Sequence, residues 1–165
     1  MKKAAVALWG FFLAAGICFA DPAEGYWLST DEKTGLDTAG WLIYQEGNKL
    51  YGKIIFVTAY PQDVKAEKCR ESYRGFPVPG NVANMPVVGT PWIFGLSMHR
   101  PGEWRGGNII NPEDGSMYGC RIIYHAPDGG RYQVETLEVR GTIGPLGRSQ
   151  YWRRLTREWL RERGY

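Results

Sequence analysis

The sequence predicts an all-β protein that folds as an eight-stranded antiparallel up-and-down barrel, with a long loop at residues 61–86 and a short C-terminal helix. Gly and Pro punctuate the chain at short intervals, and the runs between them are rich in Tyr, Trp, Val, Ile and Thr, which favour strands. Helical three-and-four spacing of apolar residues is seen only near the C-terminus. Short strands with frequent turns are typical of sandwiches and barrels.

The strands are predicted from apolar and aromatic runs that end at turn residues. Glu46-Gly47-Asn48 and residues 127–130 are hairpin-sized connections that carry turn residues, and residues 111–115 are typical of a tight turn with Gly115 at the left-handed position. In the seventh run the alternation shifts at Thr136-Leu137, which indicates a bulge or bend. In chain order, the eight predicted strands are Tyr26–Thr30, Trp41–Gln45, Leu50–Thr58, Pro91–Met98, Trp104–Ile110, Met117–Tyr124, Tyr132–Ile143 and Gln150–Leu155.

Two segments fall outside this strand pattern. Residues 61–86 are polar and contain several Pro and Gly, and a loop of this length in a compact domain is either functional or a mobile surface insertion. After Leu155 the chain is charged, with Leu155 and Trp159 four positions apart. This spacing predicts a short terminal helix lying across the barrel, whose charged residues form a solvated face.

The N-terminus has the three parts of a secretory signal peptide. Lys2 and Lys3 form a basic start, residues 4–20 carry no charge, and Ala20 is a small residue that suits the position before cleavage. A membrane span needs about 20 apolar residues, and this run is slightly shorter. We therefore expect a cleaved leader, a mature domain at residues 21–165, and a periplasmic or extracellular protein that is not an integral membrane protein.

A lipoprotein is the competing interpretation of the same segment. It would carry its lipid on Cys18, but the preceding residue, Ile17, is larger than such a site favours. With Lys2 and Lys3 removed, the formal net charge falls from +3 to +1. Non-specific binding to nucleic acid needs a strong positive field, so we expect no nucleic-acid partner. The oligomeric state is left open.

Two cysteines remain after loss of the leader, Cys69 and Cys120. Exported proteins fold in oxidising compartments, where such a pair can form a disulfide. The alternative is that Cys120 is a small buried apolar residue on the same strand face as Tyr118 and Ile122. The sequence leaves both interpretations open, with a slight preference for the second.

Catalytic and metal-binding patterns are not found in the sequence. The two histidines, His99 and His125, stand at predicted strand ends without ligand spacing. Residues 95–99 are only superficially similar to a serine nucleophile turn, because they lack the second Gly and do not lead into a helix. No Gly-rich phosphate loop follows a strand. We therefore predict no catalytic residues, no metal and no cofactor.

The first and last strands carry a matched pair of residues. Gly25-Tyr26-Trp27 opens the first strand, and Arg154 lies near the end of the last. In a closed up-and-down barrel these two strands are neighbours, so the Arg154 guanidinium can stack on Trp27 and close one end. Alternation places Trp152 on the same face as Arg154 and turns Arg153 outward. Gly-x-Trp with a matching Arg is the pattern of lipocalins, so the predicted barrel is of the lipocalin type.

A wider set of motifs resembles a bacterial family of exported proteins called domain of unknown function 2147. The similarity covers nearly all of the chain from Gly25 to Leu155. The motifs, in chain order, are Gly25-Tyr26-Trp27 with Asp31 and Gly35, Leu50-Tyr51-Gly52-Lys53-Ile54, Pro86-Val87-Val88-Gly89, residues 104–109, residues 111–118, Leu137-Glu138-Val139-Arg140-Gly141, and residues 146–154.

The resemblance implies a lipocalin-like barrel in the bacterial envelope or outside the cell, and it implies no established activity. The chain departs from the family pattern at two places. Asn111 precedes Pro112 where the family usually has Asp. The family often carries Cys-x-x-Cys in the long loop, whereas this chain has Cys69 with Ala66, so it cannot form that local disulfide.

A ligand site is predicted inside the barrel. Arg140 lies within a strand, and if its face lines the interior its buried guanidinium needs a partner. Glu138 can supply that partner, and a ligand carboxylate or phosphate is the alternative. The expected cavity walls are Tyr51, Trp92 and Tyr124, with residues 61–86 as a lid.

Three classes of function follow in order of preference. The first is an exported lipocalin-like protein that binds a small lipophilic or amphipathic ligand in its barrel. The second is a cell-envelope module that contacts another protein and whose barrel is filled by its own side chains. The third is an enzyme with an unrecognised site, which a buried group with a strongly shifted pKa would favour.

Overall fold

A computed structural model describes residues 20–165. All eight strands join in one closed antiparallel barrel in which each strand pairs with its sequence neighbours and β1 pairs with β8. The predicted fold class is therefore confirmed. The predicted leader, including Cys18, lies outside the described residues. Within residues 20–165, no helix has the length and apolar character that crossing a membrane requires.

The strands and helices lie close to their predicted positions. A 3₁₀ turn at Val82–Asn84 is the one helical element described within the long loop. In chain order, the elements are β1 (Gly25–Thr30), β2 (Asp37–Glu46), β3 (Lys49–Val57), β4 (Pro91–Arg100), β5 (Glu103–Ile110), β6 (Met117–His125), β7 (Thr136–Ile143), β8 (Leu146–Leu155) and α1 (Arg157–Glu162).

The seventh strand is shorter than predicted and the eighth is longer. β7 begins at Thr136, so the shift in alternation marks the start of the strand and not a bulge within it. Residues before Thr136 form a loop because the Asp128 carboxylate accepts hydrogen bonds from the backbone N–H groups of Gly130 and Tyr132. At the other end, Ile143 pairs with Leu146 across a two-residue turn, so β8 starts before the predicted Gln150.

The barrel interior holds one face of each strand. Trp27 pairs with Trp41, and Leu137 pairs with Trp152, so these side chains point inward together. Cys120 stands between Gly107 and Gly141 in the same inward-facing row. The buried inward-facing core includes Trp27, Trp41, Ile43, Leu50, Ile54, Ile93, Leu96, Trp104, Ile122, Leu137, Val139 and Trp152.

The outer wall is covered at two places. The long loop packs its Phe76 ring against Phe94 at 5.4 Å and against Trp92 at 6.1 Å, on the outer face of β4. The C-terminal helix covers Phe56, whose ring lies flat where any side chain at Gly40 would collide with it. The predicted helix across the barrel is therefore present, and the long loop stabilises the outer wall.

Candidate functional site

One end of the barrel is closed by Arg154. Its guanidinium lies 4.0 Å from the centre of the Trp27 ring, and it donates hydrogen bonds to the carbonyls of Pro22 (2.6 Å) and Glu24 (2.5 Å). Gly25 has φ +118°, and a Cβ there would lie 2.5 Å from Arg154 Nη1. The Gly in Gly-x-Trp is therefore required both by the backbone conformation and by the position of the guanidinium.

The segment before β1 seals the same end. The buried Asp21 carboxylate accepts hydrogen bonds from the Gly102 backbone N–H (2.8 Å) and from Trp104 Nε1 (3.0 Å). Ala23 is fully buried, and its carbonyl accepts a hydrogen bond from Trp27 Nε1. These contacts tie the first residues of the expected mature chain to the turn between β4 and β5. The chain's own side chains therefore close this end of the barrel.

The opposite end contains a cavity of about 300 Å³. Its walls include Trp41 and Trp152, whose rings are stacked with centroids 4.8 Å apart, and the aliphatic side chains of Ile54, Val57 and Ile109. Ligand sites have volumes of about 300–1,000 Å³, so this cavity is at the small end of the range. Because it opens towards the turns that follow β1, β3, β5 and β7, we call this the open end.

Polar side chains share the cavity lining with the apolar walls, among them Ser29, Thr38 and Gln150. Trp41 Nε1 donates a hydrogen bond to Ser29 Oγ (3.2 Å), whose own proton can go to the Ala39 carbonyl. Trp152 Nε1 donates to Gln150 Oε1 (3.1 Å). That bond uses the amide oxygen of Gln150, which lines the cavity, so the Nε2 group keeps its two donors.

The charged side chains that line the cavity are both acidic. Asp31 and Glu113 stand at the rim, and no Lys, Arg or His lines the cavity within residues 20–165. Burial, and then the nearby Glu113 carboxylate, raise the pKa of the Tyr60 phenol, which also lines the site and stays neutral at pH 7. The cavity therefore disfavours anions and suits an uncharged molecule.

Arg140 is not in this cavity, and its predicted interior position is wrong. It lies on the outer face of β7, because the apolar Leu137, Val139 and Gly141 take the inward positions. Its Nη1 donates a 3.3 Å hydrogen bond to Ser149, and Ser149 in turn donates to Glu138 (2.7 Å). Burying a charged guanidinium without a partner is costly, so the apolar face of the strand is the one that faces the interior.

None of the three predicted wall residues lines the cavity. Tyr51 faces outward and stacks on Tyr44 at 5.8 Å. Trp92 also faces outward and lies buried under the long loop, with its Nε1 donating to the Val87 carbonyl. Tyr124 does face inward, but at the closed end, where it contacts Trp27 edge-on at 6.3 Å. One cavity wall was visible in the sequence: Trp152 lies two positions from Arg154 on the same strand, so the inward position predicted for Arg154 also points Trp152 inward.

The long loop is not a lid in this structure. Its Phe76 packs against the outer face of β4. Ala59 and Tyr60, which precede the loop, line the cavity, whereas no residue from 61–86 does. No cluster of three or more His, Cys, Asp or Glu residues capable of holding a metal ion occurs in the described part of the chain.

Cys69 and Cys120 are both buried free thiols in the structure, so the Cys69–Cys120 disulfide is not formed. Cys69 packs against Gly115 in the turn before β6, whereas Cys120 lies three residues inside that strand. That separation is about 10 Å along a strand, and a disulfide needs Cα atoms within about 7 Å.

We expect both thiols to resist modification in the folded protein. Burial raises the pKa of Cys120 to about 12, and burial is also the main cause that raises the pKa of Cys69. A thiol reagent at pH 8 is expected to react slowly with the native mature protein and to titrate two thiols after denaturation without reductant. A count of zero after denaturation would show that the disulfide exists.

The geometry defines a class of protein, a small barrel of lipocalin type with one closed end and one open cavity. A solved structure with this fold is described as "Protein HP1028 from the human pathogen Helicobacter pylori belongs to the lipocalin family". The two chains are 17% identical, with a TM-score of 0.66, over 85% of this chain and 87% of the other. At this identity the likeness shows the fold alone. No curated protein matches the chain significantly.

The family follows from the sequence match. Residues 25–154 match the family described as "Uncharacterized protein conserved in bacteria (DUF2147)". The chain therefore belongs to this family.

Proposed function

We propose that the protein is an exported binding protein that holds a small, uncharged lipophilic molecule in the open end of its barrel. The observation that carries the proposal is the stacked Trp41–Trp152 pair, which faces an unfilled volume of about 300 Å³. Large aromatic surfaces gain stability when they are covered by apolar atoms. Trp152 is already covered, at 1% exposure, and Trp41 keeps a small accessible part, at 7%. A ligand would supply the missing contacts.

The expected orientation of the ligand follows from the cavity's two ends. Apolar atoms lie deep, against Trp41, Trp152 and Ile54. A single hydroxyl or carbonyl can accept a hydrogen bond from Gln150 Nε2 nearer the mouth. A carboxylate would meet Asp31 and Glu113 at the rim and no cation, which argues against free fatty acids and in favour of their neutral analogues.

Export and ligand identity can be tested together by native mass spectrometry of the protein recovered from its own host. A mature chain beginning at Asp21 supports export, and a chain beginning at a lipid-modified Cys18 would show a lipoprotein instead. A co-purified small molecule would identify the ligand by its mass.

The binding test uses two matched ligands, decanol and decanoate, that displace a neutral fluorescent probe. We expect saturable micromolar binding of the probe, with decanoate at least tenfold weaker than decanol. Ala39→Phe places a ring in the cavity and should abolish binding, whereas Arg140→Gln, on the outer wall, should leave it unchanged. Equal affinities for the two ligands, or full binding by a folded Ala39→Phe variant, would contradict the proposal.

A further inference from the structure

The outer face of β6, β7 and β8 carries two arginines side by side. Arg121 on β6 lies directly opposite Arg140 on β7, and Arg140 lies opposite Ser149 on β8. Like charges directly opposite each other across two strands destabilise a sheet. The pair is therefore a cost to the isolated barrel that a neighbouring anion would reduce.

The nearest carboxylate does not neutralise both guanidiniums. Glu138 is 13% exposed; its oxygens accept hydrogen bonds from Ser149 (2.7 Å) and His125 Nε2 (3.1 Å), and Arg121 Nη2 approaches only to 3.9 Å. Burial opposes ionisation of Glu138, but these hydrogen bonds outweigh it and lower its pKa, so it holds one negative charge.

Both guanidiniums keep unused donors. Within residues 20–165, no carboxylate lies within 4.0 Å of Arg140. The Nε of Arg121 is buried and has no hydrogen-bond partner, so the terminal nitrogens of this 37% exposed side chain are the ones that can reach an external anion. Two positive charges thus face one carboxylate that is already engaged. Paired guanidiniums with free N–H groups match the oxygens of a phosphate.

Exposed aliphatic side chains lie at the open end just beyond this pair. Ile143 and Leu146 flank the β7–β8 turn and are 61% and 75% exposed, and Met117 at the start of the neighbouring β6 is 38% exposed. The row between these tips and the arginines is Gly119, Thr142 and Gly147, which has only one side chain. By alternation Ile143 continues the inward-facing positions of β7, so it and its partner Leu146 form an exposed apolar rim at the open end. The arginines lie on the outer face next to that rim.

We infer that this surface docks on a lipid membrane with anionic headgroups, with Ile143 and Leu146 entering the bilayer and Arg121 and Arg140 binding lipid phosphates. Ile143 is three positions from Arg140 along β7, a distance of about 10 Å. Apolar groups of interfacial proteins enter to about 5–10 Å, so the guanidiniums would lie at the phosphate level.

The charges of two other turns at the open end, the β1–β2 turn and the β5–β6 turn, orient this contact. Glu32 is paired with Arg148, and Asp114 accepts hydrogen bonds within its own turn, but both turns remain acidic. They would be repelled by an anionic surface, so contact is confined to the β6–β8 side of the open end. The inference does not depend on the proposed cavity ligand.

Vesicle flotation tests the docking surface. We expect wild-type mature protein to float with phosphatidylglycerol-containing vesicles and not with pure phosphatidylcholine, and to be released by high salt. Arg121→Gln/Arg140→Gln should weaken binding roughly 30-fold. The control Arg157→Gln/Arg161→Gln removes the same charge from α1 and should bind like wild type.

The apolar rim has its own matched control. Ile143→Ser/Leu146→Ser should weaken vesicle binding at least tenfold, whereas Met98→Ser/Val134→Ser removes two exposed apolar residues elsewhere and should not. The Arg121→Gln/Arg140→Gln variant should also melt at an equal or higher temperature, because like-charge repulsion is removed. A purely structural role would lower that temperature.

Three outcomes would overturn the inference. The first is that the wild-type protein does not float with anionic vesicles. The second is that the Arg157→Gln/Arg161→Gln control loses as much vesicle binding as the Arg121→Gln/Arg140→Gln variant. The third is an arginine pair that binds inorganic phosphate in solution while the protein fails to bind vesicles, which would indicate a site for soluble phosphate. Ala39→Phe should bind vesicles normally, so failure of the cavity proposal and failure of docking are distinguishable.

Discussion

Replacing Arg154 with alanine is expected to lower the free energy of unfolding by about 3–5 kcal/mol. The variant loses the stacking on Trp27, a contact of about 1–2 kcal/mol when partly desolvated. It also leaves the carbonyls of Pro22 and Glu24 without their charged donor, and each such hydrogen bond contributes about 1.5–3 kcal/mol. The contributions overlap, so they do not add in full.

Urea denaturation followed by tryptophan fluorescence measures the effect. Arg153→Ala is the matched control, because Arg153 points outward and makes an exposed ion pair with Asp37. Such pairs contribute at most about 1 kcal/mol. If Arg153→Ala destabilises the protein more than Arg154→Ala does, the contacts that close the barrel are not those described.

Gly107→Ala is expected to have a comparable effect, about 3 kcal/mol or more, for a different reason. A Cβ at Gly107 would lie 2.6 Å from the Leu96 backbone nitrogen and would also collide with the Phe94 carbonyl oxygen. These are backbone atoms of the paired strand β4, so the clash can be relieved only by separating β4 from β5. Overpacking of side chains alone typically costs about 1–3 kcal/mol.

Gly141→Ala provides the comparison within the same inward-facing row. Its Cβ would lie 3.5 Å from Tyr118 Cβ, an ordinary contact, so the change in stability should stay within about 0.5 kcal/mol. Both variants add the same methyl group to a strand glycine, and the same denaturation measurement applies. Equal effects at the two sites would show that the close approach of β4 and β5 is absent in solution.

The fold was predictable because the pattern of strands and turns is local. Every predicted strand overlaps an observed one, since aromatic and β-branched runs between Gly-containing turns favour strands on local grounds. The ends were less accurate where a side chain redirects the backbone, as Asp128 does before β7. Closure of the barrel could be predicted from Trp27 and Arg154 because one lies on the first strand and the other on the last, and contact between them requires these two strands to be neighbours.

The cavity-lining residues were poorly predicted. Whether a residue lines the cavity depends on which strand face it occupies and on which end of the barrel it lies, and its chemical type does not reveal either. Arg140 was selected as a polar ligand group, although the alternation of Leu137 and Val139 already indicated the apolar face of β7. Trp92 and Tyr51 are aromatic residues on outward faces, and Trp92 is buried only because the long loop covers it. Sequence alone does not reveal that cover.

The cavity itself depends on how two tryptophans pack across the barrel. Trp41 and Trp152 come from β2 and β8, which are not sequence neighbours but both flank β1. Trp152 points inward because it alternates with Arg154 on β8, and Trp41 does so because it pairs directly with the inward-facing Trp27. The unfilled volume beside them depends on every opposing side chain at that end.

The pairing of the first strand with the last governs when the barrel can form. Arg154 bonds to the Glu24 carbonyl across 130 positions of chain, and β1 has no second partner until β8 has been synthesised. Contacts between residues so far apart in sequence form only after the entropy of closing the long intervening loop has been lost. Closure of the barrel is therefore a late and slow folding step. A ribosome or export channel that delivers the chain N-terminus first must therefore release nearly all of it before folding completes. A chain truncated before β8 would keep two unpaired sheet edges, the starting point for aggregation.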